Sequence, residues 1–324
     1  MSEARAQEGR WRAGLACIGM VCLYCVPATG AEAFITDQTG DAVSVLDLSL
    51  KRVVAEIPVS GKPAGIAIAP DGRTAFVTST EGKFVAFIDT ASRKIAAKIA
   101  MPDTPLGIAA DPGGGFIYVA GFYQPRLYKI DLAARSIAAS IEIGASPSGV
   151  AVTPDGALIV TADRDDNQIS LIDAKSFSRK STVKVGAHPF GVTIDKKGER
   201  AYTANVESND ISVVDLKEGK LLGNVAAGKR PYAVALAKGR GFATDQYGGT
   251  VSVFDLATLQ PVKRITVGDY PEGIESSADG NNVYVVNWFS NEVWTIDTGT
   301  LAVTAKMPAG DGPRAFGTFL RETL

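Results

Sequence analysis

Beyond residue 31 this 324-residue chain has no cysteine; its three, Cys17, Cys22 and Cys25, all fall before that point. The rest therefore needs no disulfide and has no thiol nucleophile, iron–sulfur ligand set or haem-attachment motif. Histidine is almost as scarce. With His188 alone, a multi-histidine metal centre is excluded, although a single axial ligand to a porphyrin is not. Neither sign of charge dominates: Lys plus Arg number 33 and Asp plus Glu 35, a net charge of −2. Taking away the three Arg and two Glu of residues 1–31 leaves about −3. That balance excludes a general attraction to nucleic acid or anionic membrane. No P-loop, nucleophile elbow or glycine-rich dinucleotide turn in a βαβ setting occurs. No apolar run reaches the ~20 residues that a membrane-spanning helix takes.

The longest apolar run covers the 14 residues 13–26. It follows Arg5, Arg10 and Arg12 and precedes the small residues Ala28, Thr29, Gly30 and Ala31. A positive start, a short apolar stretch and a small-residue exit form a secretory signal-peptide pattern. Residues 1–31 are read as that peptide, with cleavage after Ala31 and Ala33 as the alternative. Leu15-Ala16-Cys17 is faintly like a lipoprotein box, but here the apolar run follows the cysteine rather than preceding it. The mature chain, residues 32–324, is expected to be a periplasmic or secreted monomer without a membrane span.

What is present is a repeat. Short apolar segments begin at Phe34, Phe76, Tyr118, Val160, Tyr202, Phe242 and Tyr284, in steps of 42 residues with one step of 40. Two further landmarks keep the same beat. One is Asp47, Asp89, Asp131, Asp173, Asp215, Asp255 and Asp297; the other is Pro63, Pro105, Pro147, Pro189, Pro231, Pro271 and Pro313. A period near 40 built of short strands predicts a propeller or related array. Each unit reads as four strands. In the second unit they are a small apolar run at Gly65–Ala69, an aromatic and β-branched run at Ala75–Thr78, Val85–Ile88, and Ile95–Ile99, with a Pro70-Asp71-Gly72 turn after the first. The first run is small because inner strands crowd where blades converge. The chain enters in mid-unit and leaves on Pro313–Phe319, a first strand without the rest of its blade. The expectation is an all-β, seven-bladed β-propeller with four antiparallel strands per blade, closed by the C-terminal strand joining the N-terminal blade.

The Tyr202-Thr203-Ala204-Asn205 and Tyr284-Val285-Val286-Asn287 copies, with the Asp and Pro landmarks and the Pro-Arg-Ala-Phe-Gly ending, resemble the YVTN family of seven-bladed β-propeller repeat proteins. The resemblance covers about nine-tenths of the chain. It implies an exported, non-catalytic binding scaffold. It also implies a superfamily that includes haem d1-binding domains, lactonases and subunits of quinoprotein amine dehydrogenases. The fold follows from it far better than the function.

Residues shared by all units are structural first: the seven Asp cap a turn and the seven Pro preset the entry to the inner strand. Departures from the repeat are the candidates for function. Lys62, His188, Arg230 and Tyr270 precede the Pro landmark; Tyr232 and Arg314 follow it; Tyr123, Trp288 and Phe289 sit in the loops after the second strand. The register puts them on one end of the ring. Arg and aromatics are the types that anchor interfaces, so a protein or small-molecule partner is expected on this rim face and at the channel mouth. Glu275 replaces an Ala, Thr or Gly found in every other inner strand. It either faces the channel or pairs with a cation such as Arg314. No catalytic residue, metal or cofactor is assigned; Asp163, Asp165 and Asp166 lack an EF-hand pattern. Two alternatives stay open. One is an enzyme or cofactor-associated component, lactonase-like with a metal or quinoprotein-associated, with Glu275 and His188 as anchors. The other is a binder of single-stranded nucleic acid or another polyanion through Lys62, Arg230, Arg314 and the aromatics.

Exported material should begin at Glu32 or within a few residues of it when its N-terminus is sequenced; a chain still starting at Met1 would remove the signal-peptide reading.

Overall fold

The computed structural model describes residues 31–322; all but Ala31 of the segment read as a signal peptide lies outside the described residues. Seven sheets follow one another around a ring, each with four antiparallel strands, and one of them carries a fifth, parallel strand at the axis. Blade 2 is representative: Pro63–Ile68, Thr74–Ser79, Phe84–Asp89 and Lys94–Ala100. One helical turn, Arg164–Asp166, interrupts the strands among the described residues. The chain is an all-β, seven-bladed β-propeller.

The repeat landmarks mark its packing. Phe34, Phe76, Tyr118, Tyr202 and Phe242 each stand third in the second strand and are fully buried. Phe76 packs with Phe87 of its own blade and with Ile108, Ile117 and Val119 of the next, so the landmark aromatic cements neighbouring blades. The inner strands explain the small residues. A Cβ on Gly65 would collide with the carbonyl oxygen of Leu106, and one on Gly107 with that of Ser148. Each blade wedges its inner backbone against the next. Side-chain hydroxyls then reach across to inner-strand carbonyls that lack a ladder partner: Thr36 to Ala64 (2.8 Å), Thr78 to Leu106 (2.9 Å) and Thr244 to Glu272 (2.9 Å).

All seven landmark Asp residues cap the turn after the third strand, as their side chains accept backbone N–H bonds two or three residues on. The last residue of the second strand is polar and buried in six blades: Asp37, Ser79, Asp163, Asn205, Asp245 and Asn287. Blade 3 has Gly121 there, and the Asp103 carboxylate from the preceding loop fills the space its side chain would take. One hole is filled from either side.

The C-terminal segment closes the ring, but not as one continuous strand. Leu320–Arg321 pairs antiparallel with Glu32–Asp37 of blade 1, while Phe316–Gly317 pairs parallel with the inner strand of blade 2. Further contacts hold the seam: Phe34 N–H to the Phe319 carbonyl (2.9 Å) and Arg314 N–H to the Thr36 carbonyl (2.8 Å). The buried Glu32 carboxylate pairs with Arg321 and with Arg93 of blade 2, both at 2.7 Å. A chain lacking residues 313–324 loses this strand and leaves Glu32 without Arg321. It should melt well below the full-length protein, a loss far beyond the ~0.5 kcal/mol of ordinary surface changes. Coincident melting curves would contradict closure by the tail.

Candidate functional site

Each loop that follows a second strand is tied by backbone bonds to the loop that precedes the Pro landmark. Trp288 N–H reaches the Tyr270 carbonyl (2.9 Å) and Gln246 N–H the Arg230 carbonyl (3.0 Å). The residues before Pro mostly adopt the left-handed conformation, with φ of 59° at Lys62, 54° at His188, 56° at Arg230 and 54° at Tyr270. Asn or Asp side chains of the adjoining loop hold several of these N–H groups, as Asn209 does that of Arg230 (2.8 Å). Non-glycine residues rarely adopt that conformation. Its recurrence around the ring makes it a device of the repeat, and it aims the pre-Pro side chains outward.

Over blades 6 and 7 these loops bring together a continuous aromatic patch. Tyr270 lies 5.0 Å from Tyr247, 4.4 Å from Phe289 and 6.3 Å from Trp288, ring centre to ring centre, and Trp288 lies 5.5 Å from Phe289. Phe289 is 63 % exposed and Tyr247 47 %. The Tyr247 hydroxyl raises the pKa of Tyr270 beside it above the usual tyrosine value. Arg230 sits 4.8 Å over the Tyr247 ring. Its Nε is buried without a hydrogen-bond partner, and among the described residues it forms no ion pair. The other basic candidates have carboxylate neighbours: Lys62 has Asp41 at 4.0 Å, His188 Nδ1 has Glu207 at 3.1 Å, and Arg314 has Glu272 at 2.6 Å.

Not every candidate joins the patch. Tyr123 is 75 % exposed but belongs to blade 3, where it packs on Phe122 with Arg164 over that ring. Lys62 and His188 stand on blades 2 and 5. Tyr232 is on the expected end of the ring but is 4 % exposed. The residue after Pro points to the axis, so Tyr232 stacks with Phe190 (4.4 Å) and Phe316 (5.5 Å), beside Ala64 and Leu106. This aromatic plug fills the axis at the rim face, and the expected channel mouth is closed there. The cavity opens instead at the Pro-Asp-Gly turns, on the opposite face.

Arg314 completes the plug. Its Nε meets Glu272 (2.6 Å), Nη1 meets Gln38 (3.1 Å), Nη2 meets the Tyr232 hydroxyl (2.5 Å), and its guanidinium lies 4.9 Å from the Trp288 ring. Glu272 is wholly buried and also accepts from Gln246 (2.5 Å). Burial opposes the Arg314 charge, but the Glu272 carboxylate outweighs it and raises the arginine pKa. Arg314 thus pairs with Glu272 and not with Glu275, and it supports the patch from beneath. Glu272 and Tyr247 also depart from the repeat at these loop positions, but neither was among the site candidates. Glu272 occupies the post-Pro position, whose depth the repeat register does not give, and nothing in the sequence pointed to the stacking of Tyr247.

Glu275 lines the cavity, where its Oε2 accepts the backbone N–H groups of Phe319 (2.5 Å) and Leu320 (2.8 Å) in the closing tail. Burial raises its pKa to about 8 against the effect of those two donors.

No family model matches the chain, and no curated protein is similar to it. Solved structures are. A chain of hydrazine synthase from Kuenenia stuttgartiensis aligns with a TM-score of 0.74 at 21% identity, covering 81% of this chain and 90% of that one. A functionally unknown protein from Desulfotomaculum acetoxidans aligns with a TM-score of 0.76 at 18% identity, covering 87% and 98%.

Arg314→Ala should destabilise the protein by ~3–5 kcal/mol, because Glu272 would remain buried without its partner; replacing both residues by Met should cost less. Urea denaturation midpoints of the three proteins check this, and a double variant at least as unstable as Arg314→Ala would contradict it. At this level of identity the two likenesses show the seven-bladed fold alone.

Proposed function

We propose that the chain is an exported, YVTN-type propeller that serves as a binding scaffold, and that it holds its partner on the patch formed by Arg230, Tyr247, Tyr270, Trp288 and Phe289. The observation that carries this reading is the state of Arg230. It is a cation stacked on an exposed aromatic cluster, with a buried donor left unmatched. Blade packing asks for none of it, since equivalent positions in other blades carry Thr, Ser or Gly. Arg and aromatics in a contiguous patch are the composition of interface anchors, and an unmatched guanidinium favours a carboxylate or other acceptor on the partner. The YVTN assignment rests on the Tyr202 and Tyr284 copies and their landmarks. Export rests on the pattern of residues 1–31. The pairing of Glu32 with Arg93 and Arg321 favours cleavage before Glu32 rather than after Ala33.

A second reading is a role within or beside an enzyme. The fold likeness to a chain of hydrazine synthase and the carboxyl of Glu275 in the cavity wall favour it. One equivalent of metal or a cofactor retained through purification would support this second reading over the first.

The test of the scaffold reading uses the exported fraction of the source cells. A partner captured by the wild type and by Lys197→Ala, on the opposite face, should bind Trp288→Ala and Arg230→Ala more weakly by ~1–3 kcal/mol in calorimetric titration. Equal binding by a Trp288→Ala, Arg230→Ala double variant would place the site elsewhere.

A further inference from the structure

The axial cavity has a volume of about 610 Å³, within the range of small-molecule sites. The aromatic plug makes it a cup. Phe316 forms its floor, backed by Phe190 at 5.1 Å and Tyr232 at 5.5 Å, and the mouth lies at the turns that carry Pro70, Pro112 and Pro154. The wall is the small and aliphatic row of the inner strands, Ala109, Ala151 and Ala235 among them. Its polar side chains are largely committed to backbone. Thr193 donates to the Val234 carbonyl (2.6 Å), Ser276 to that of Leu236 (3.1 Å), and Lys196 at the mouth to that of Ala278 (3.0 Å), while Asp195 accepts from the N–H of Glu199 (2.8 Å). Thr318 and Glu275 are the exceptions: no bond ties the Thr318 hydroxyl among the described residues, and Glu275 is only half committed. The Glu275 Oε2 holds two tail N–H groups, and its Oε1 has no partner among the described residues.

From this geometry we propose that the cup is a second binding site, separate from the rim patch, for a neutral and mainly apolar molecule carrying a carbonyl acceptor, held by a hydrogen bond from the Glu275 carboxyl. The assignment of donor follows from the two N–H bonds. They occupy Oε2, so the acid proton resides on Oε1, and only the protonated acid can donate. A carboxyl in an apolar site stays neutral near pH 7, and burial does this to Glu275. The charged groups around it are Glu322 on the tail, with Asp195 and Lys196 at the mouth. Of these Glu322 acts on Glu275, and it also favours the neutral form. A ligand ammonium would favour the ionised form instead, so the two ligand classes carry opposite pH signatures.

The probe is 6-propionyl-2-(dimethylamino)naphthalene, a neutral aromatic ketone whose emission reports an apolar, hydrogen-bonded carbonyl. Full-length protein should bind it saturably at one site, and the affinity should fall by about thirtyfold between pH 6.5 and 9.5 as an acid with a pKa of about 8 ionises. Glu275→Gln keeps both an acceptor for the tail and an N–H donor, so it should bind with no pH dependence. Ala151→Phe, which fills the cup, should bind at least about tenfold more weakly, while Trp288→Ala on the rim should match the wild type. Absence of saturable binding, affinity that rises with pH, a pH profile unchanged in Glu275→Gln, or loss in Trp288→Ala would each overturn the proposal. If Ala151→Phe does not fold, the pH profiles of wild type and Glu275→Gln decide alone.

Discussion

Seven inner strands meeting at one axis is the constraint on which the rest of this protein depends. Backbone approaches backbone there, closely enough that the carbonyls of Leu106 and Ser148 occupy the space of a Cβ on Gly65 and Gly107. Away from the closing tail an inner strand has a ladder partner on one side only, so its free carbonyls need other donors. Thr36, Thr78 and Thr244 supply them from the neighbouring blade. The same convergence creates a central void, and its two ends are treated differently. At the rim end large side chains after the Pro landmark fill it; at the other end small residues leave it open.

Closing the ring imposes a second demand. The tail must leave blade 2, where Phe316–Gly317 pairs in parallel, and cross to blade 1, where Leu320–Arg321 pairs antiparallel. Crossing breaks the ladder, and the Phe319 and Leu320 N–H groups turn to the Glu275 carboxyl. This accounts for an acid in a slot that other blades give to small residues. The structural demand is met by one oxygen; the other remains for the cavity. Glu32, buried between Arg93 and Arg321, secures the outer part of the same seam.

Function follows from the asymmetry of these ends. On the rim, tight loop-to-loop backbone bonds hold Tyr247, Tyr270, Trp288 and Phe289 as a preformed surface, and Arg314 supports Trp288 from the plug below. A preformed aromatic surface binds without first ordering its loops. The plug separates that surface from the cup beneath it, so the two sites can be probed one at a time.

The fold was legible in the sequence because a repeat writes the same packing demand seven times. Aromatic residues at Phe34 and Phe76, capping acids at Asp47 and Asp89, and the mid-unit entry with a first-strand ending all reappear as buried cement, turn caps and a closing strand. The end of the ring on which Arg230, Tyr270, Trp288 and Phe289 lie was also legible, since register assigns each repeat position to a face. Depth was not. Whether a residue after Pro meets solvent or the axis depends on what the other six blades contribute, which is why Tyr232 and Arg314 turned out to be plug rather than rim. Nor could one strand reveal that Arg314 would choose Glu272 and leave Glu275 to the tail. Sequence determined the period and the face, because both are local and repeated; partners across the axis were decided only in three dimensions, because they join blades far apart in the chain.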